Sequence, residues 1–120
     1  SAENYRWFMA TRKETTVFIL DQLDPLPVRV RSMFGEYALY CDDKTVAFIC
    51  DDTVFLKPTA VAEASLGPET MAPAYPGSKL YYAIPGDRLE NREWFQDVVQ
   101  RTADILPAPK PKKPKTPKRP

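Results

Sequence analysis

The chain has 120 residues, with 17 Lys and Arg against 16 Asp and Glu and no histidine. That near-neutral total hides a division: from Pro107 onward there are six basic residues and no acidic one, which leaves 11 basic against 16 acidic residues in positions 1–106. The lack of histidine excludes Ser-His-Asp and Cys-His catalysis, His-ligated zinc and imidazole proton transfer. No apolar run approaches the ~18–20 residues needed to span a bilayer.

A body of 106 residues fits one domain, and 43% hydrophobic residues with 14 aromatic side chains are enough to build a core. The N-terminus has no basic-then-apolar secretory pattern, because Glu3, Arg6, Arg12, Lys13 and Glu14 interrupt it. The expected compartment is therefore the cytoplasm.

In chain order, Glu14 to Leu23 places Val17 and Leu20, with Phe18, Ile19 and Leu23, at helical spacing, and Asp24-Pro25-Leu26-Pro27 ends the helix. Asn4 to Ala10, with Tyr5, Trp7, Phe8 and Met9, either extends this helix or packs as a separate turn. The period then changes from 3.6 to 2. Val28 to Arg31, Tyr37 to Cys41, Thr45 to Cys50 and Thr53 to Lys57 read as strands. Their separators, Gly35-Glu36, Asp42-Asp43-Lys44 and Asp51-Asp52, are short enough for hairpins, which predicts an antiparallel meander.

Ala60 to Leu66 predicts a short helix stopped by Gly67-Pro68, and Pro68 to Gly77 a structured loop. A fifth strand covers Lys79 to Ile84, with Tyr81 and Tyr82 on opposite faces. Asp87 to Leu106 predicts a second long helix capped by Asp87 or Asn91. The expected fold is α+β: a five-stranded antiparallel meander with the N-terminal and C-terminal helices packed on it. Residues 1–106 form the domain, and residues 107–120, six prolines and six cations among fourteen residues, form a disordered Pro/Lys-rich tail.

Chemistry must start from acids and thiols. Asp42-Asp43 and Asp51-Asp52 sit at opposite ends of one strand, roughly 20 Å apart, so they cannot share a metal, and aspartate suits turns in any case. Cys41 and Cys50 lie too far apart along the ladder for a disulfide, and no histidine is present to activate a thiol. No catalytic residue, metal or cofactor is expected. Gly35 is expected to permit a positive φ or a close backbone approach between the strands.

Arg29 and Arg31 share one face of the first strand, with Lys57 expected near the same sheet edge. They suit either a solvated face or phosphate contacts. The tail cations Lys110, Lys112, Lys113, Lys115, Lys118 and Arg119 fit a solubilising extension, a sequence-independent contact to DNA or RNA, or a proline-motif ligand.

The run Val30-Arg31-Ser32-Met33-Phe34-Gly35-Glu36-Tyr37-Ala38-Leu39-Tyr40 resembles the opening signature of the TfoX/Sxy N-terminal domain family. Phe48 to Lys57 is similar to that family's second block, and Tyr75 with Lys79 to Pro85 to its aromatic strand. The resemblance covers roughly Glu14 to Leu106. It implies an α+β domain of bacterial competence regulators that act as transcriptional co-activators alongside the cyclic-AMP receptor protein, and no active site. Relatives of full length carry a second, helical domain where this chain has the tail. The expected function is a non-enzymatic transcriptional co-regulator whose tail adds nonspecific nucleic-acid affinity. The alternative is a protein-interaction module with the tail only a tether.

Overall fold

The computed structural model describes residues 10–110. The expectation for Asn4 to Ala10 lies, Ala10 apart, outside the described residues, as does the expected tail disorder beyond Lys110. Helix α1 spans Lys13–Leu23 and buries Thr16, Ile19 and Leu23. Val17, expected in the apolar stripe, is 60% exposed. Four consecutive apolar residues, Val17 to Leu20, fit several stripes, and contacts at the helix start select one. Asp52, from a distant turn, accepts hydrogen bonds there from the Arg12 backbone N–H (2.9 Å) and the Thr15 hydroxyl (2.7 Å).

Strands β1 (Val28–Met33), β2 (Glu36–Cys41), β3 (Lys44–Cys50) and β4 (Thr53–Leu56) follow as the alternation predicts. The connections Phe34-Gly35, Asp42-Asp43 and Asp51-Asp52 carry positive φ at both residues, the signature of two-residue type I′ hairpins matched to strand twist. At Gly35, with φ +83°, the expected positive φ holds, and the close neighbour is not a strand but Ala10, whose Cβ would lie 3.3 Å from an added Cβ.

Helix α2 (Ala60–Ser65) starts at Thr59, whose hydroxyl accepts from the Ala62 N–H. The expected loop contains a 3-10 turn (Pro68–Thr70) and a short strand β5 (Met71–Pro73). Strand β6 (Leu80–Ile84) inserts between β4 and β5, giving the order β1-β2-β3-β4-β6-β5. The sheet thus has six strands rather than five. β5 is short and ends in proline, which an edge strand tolerates because no ladder donor is lost.

The expected single helix from Asp87 is two, α3 (Gly86–Glu90) and α4 (Arg92–Ile105). Asn91 leaves helical geometry and its side chain caps α4 by accepting from the Trp94 N–H at 3.1 Å. Gln96 and Arg92 then donate to backbone carbonyls of Asp21, Gln22 and Asp24, which satisfies the orphan acceptors at the end of α1.

All the long helices lie on one face of the sheet. Ile19, Leu39, Ile49, Leu56, Phe95 and Val99 meet there with no exposure, each such side chain contributing roughly 1.5–3 kcal/mol through burial. The opposite face carries a separate set of side chains.

Candidate nucleic-acid interface

Period-two alternation decides what the second face presents. In β1, Val28 and Val30 pack toward the core, so Arg29 and Arg31 point away from it. The register pairs Arg31 with Ala38, Ala38 with Phe48, Phe48 with Phe55, and Phe55 with Ala83, so these five residues form one row across the open face. A second row runs from Arg29 to Tyr40 to Thr45.

That second row depends on a bulge. Between Leu39 and Tyr40 the β2–β3 register shifts, so Leu39 opposes Ala47 while Tyr40 opposes Thr45, with Val46 the extra residue. Without it, strict alternation would put Thr45 on the same face as Ala47. The bulge turns Thr45 to the open face opposite Tyr40, while Tyr40 is the diagonal neighbour of Phe48 because it lies two residues beyond Ala38, the partner of Phe48.

The aromatic side chains have defined partners. The Arg29 guanidinium lies over the Tyr40 ring, 4.1 Å from its centroid, and forms an exposed ion pair with Asp43 at 3.6 Å. Phe48 and Tyr81 pack edge to face at 5.4 Å. Ala38, Cys50 and Phe55 are buried beneath this layer yet lie outside the main core. Arg31 is exposed and makes no ion pair among the described residues.

Two cavities border the layer. One, of about 330 Å³, opens between Cys50, Thr53 and Phe55 of the sheet and the Pro73–Pro76 loop; the Ser78 hydroxyl holds this loop by accepting from the Ala74 N–H. The other, of about 360 Å³, lies between Tyr40, Thr45, Lys57 and the segment from Leu106 to Pro109. The chain therefore leaves α4 beside Tyr40 and Lys57, and Lys110 follows, exposed.

Arg29 and Arg31 thus stand together as expected. Lys57 does not share their edge: it follows β4, inside the sheet, and meets Tyr40 across the cavity. Lys112, Lys113, Lys115, Lys118 and Arg119 lie outside the described residues. Tyr40, Phe48 and Tyr81 were not singled out from sequence as a group. Their alternation with core residues was the available signal, and the uniformly apolar runs that hold them obscured it.

Neither thiol is set up as a nucleophile. Burial, then Glu36 and Asp51, pushes the Cys50 thiol up to about 12. Burial, then Asp42 and Asp104, raises Cys41 to about 11. Both are free and buried, and a protonated thiol is a poor nucleophile. Burial, then Tyr75 and Cys50, also raises Tyr81 above the ordinary phenol value, so its hydroxyl stays neutral around pH 7.

The model of the TfoX N-terminal domain matches residues 19–105. The chain is also 50% identical over 110 residues to an uncharacterized 12.7 kDa protein in the trpE 5′ region of Spirochaeta aurantia, covering 90% of this chain and 94% of that protein. The family match takes in every element from the middle of α1 to the end of α4, and the chain belongs to the TfoX N-terminal domain family.

Proposed function

We propose that this protein is a regulatory binding domain acting in transcription without catalysis of its own, and that its basic C-terminal residues add affinity for nucleic-acid phosphates. Family membership supports the regulatory reading. The observation that carries the nucleic-acid part is the exit of the chain: Pro107 to Pro109 line a cavity with Tyr40 and Lys57, so the cationic segment starts at the face bearing Arg29 and Arg31. Two protonated, buried thiols and the lack of histidine support the absence of catalysis.

A comparison of the full chain with residues 1–106 in DNA mobility shifts across a salt series tests this. If all six tail cations meet duplex phosphates, the log-log salt slope of the full chain approaches about −5, and removal of the tail flattens it. Equal binding by both chains, or none by either at low salt, defeats the tail's role.

Phe34 favours a second reading, a protein-interaction module. This phenylalanine at the β1–β2 turn has φ +50° and is fully exposed, and a free aromatic side chain is an effective anchor for a partner. Co-elution with the cyclic-AMP receptor protein, lost on Phe34→Ser, would carry that reading.

A further inference from the structure

We propose that the open sheet face takes single-stranded nucleic acid, stacking unpaired bases on Tyr40 and Phe48 while Arg29, Arg31 and Lys57 meet the phosphates. This rests on the nucleic-acid reading above and narrows it from any polyanion to strands whose bases are free.

Three observations lead to it. The face is uncovered by helices among the described residues, because α1, α2 and α4 all bury their apolar sides in the core on the other side. It presents aromatic rings on β2, β3 and β6 that are neither fully buried nor part of that core, and one of them already accepts a planar cation, Arg29, over its ring. Guanidinium planes and aromatic rings are the groups on which single strands stack, and every base offers a π face to them.

Charge then selects the occupant. The cations at this face are Arg29, Arg31 and Lys57, and the acids are Glu36, Asp43 and, at the far edge beside Cys50, Asp51. Glu36 and Asp51 lie beside the Cys50 thiol and Asp43 pairs with Arg29, while Arg31 and Lys57 stand outside the ion pairs of the described residues. Lys110, the first tail cation, follows Pro109 at the same end. An aromatic surface with a cationic rim complements a polyanion carrying flat apolar groups better than it does an apolar protein surface.

Spacing separates single from double strands. Tyr40 and Phe48 are diagonal neighbours, with backbones roughly 7–8 Å apart, while stacked bases along one strand of a duplex rise about 3.4 Å. Adjacent bases that each sit on one of the two rings must therefore unstack from one another, which paired DNA resists.

The test titrates the full chain by fluorescence anisotropy, at about 50 mM salt, into four labelled probes of about 12 nucleotides. These are a mixed-sequence DNA strand, its RNA counterpart, an abasic strand and a duplex. The expected result is that one or both base-bearing strands bind at least about fivefold more tightly than the abasic strand, and more tightly than the duplex. Phe48→Leu, which keeps the face apolar, should remove most of that preference and leave abasic binding unchanged. Equal binding of abasic and base-bearing strands would overturn the stacking platform while leaving the tail's phosphate contact standing. No binding to any probe would defeat both. A dimer in solution that dissociates on Phe48→Leu, with no preference for bases, would assign the face to a second copy and also overturn the proposal. If Phe48→Leu loses its far-ultraviolet dichroism, the abasic comparison on the unaltered chain decides alone.

Discussion

On the helix-covered face, Leu39, Ile49 and Leu56 meet Ile19, Phe95 and Val99 with no solvent exposure. On the opposite face of the same sheet, Tyr40, Phe48 and Tyr81 remain partly open and find a cation or a second ring instead of a helix. One pleated backbone serves both because successive residues point to opposite sides. The first face is specified by volume, since a missing methylene there leaves a void. The second is specified by chemistry, since its side chains already share space with water.

The largest expected effect tests that distinction. Phe95→Ala removes a fully buried ring at the centre of the first face and should cost about 3–5 kcal/mol in urea unfolding. Phe48→Leu, on the second face, should cost less than about 1.5 kcal/mol, because its volume is largely kept and its surroundings can relax. Comparable losses from both would mean that the open face is a second core and that the contrast is false.

The next effect concerns the turn that joins the two layers. Burial opposes the charge on Asp52, but the Thr15 hydroxyl, the Arg12 N–H and the Arg12 guanidinium outweigh it, so its pKa lies below the ordinary carboxylate value. A depressed folded pKa gives stability that is present above the unfolded pKa, near 3.8, and lost as pH falls through the folded one. Asp52→Asn tolerates the positive φ of this turn but gives up charge-assisted bonds, and should lose about 1–2 kcal/mol at pH 7. The difference between the two proteins in thermal unfolding should shrink as pH drops below about 4. A difference independent of pH would show that the carboxylate's charge does not hold α1 to the β3–β4 turn.

Much of the first face was legible in the sequence. Alternation in Val28 to Arg31, the paired aspartates and Gly35 located strands and turns, since each residue type fits the local backbone for a reason independent of the rest of the chain. The rotation of α1 was not legible, because Val17 to Leu20 are all apolar and only Asp52, 37 positions beyond Thr15, selects the stripe. Asn91 was legible as a cap, whereas the separate helix Gly86–Glu90 before it was not, because the helical pattern runs on through both. For the second face, Arg29 and Arg31 were visible as a pair. Tyr40 and Phe48 were not, since Tyr37 to Cys41 and Val46 to Cys50 are uniformly apolar and do not show which residues face the helices. The exit of the tail beside Lys57 is tertiary, fixed by where α4 ends.

The smallest expected effect on stability bears most directly on the second face. Asp43 sits in the β2–β3 turn with its side chain 82% exposed, 3.6 Å from Arg29, and an exposed pair of this kind contributes little to folding. Asp43→Asn keeps a residue that accepts positive φ, so its unfolding midpoint should match that of the parent within measurement error. The same change removes the acid paired with Arg29 and frees Arg29 to meet a phosphate. Affinity for a single strand should then rise, by up to about fivefold at low salt, and the gain should fade as salt screens the charge. An equal change in stability and none in binding would place Arg29 among the structural residues and return the face to the rules that govern the core.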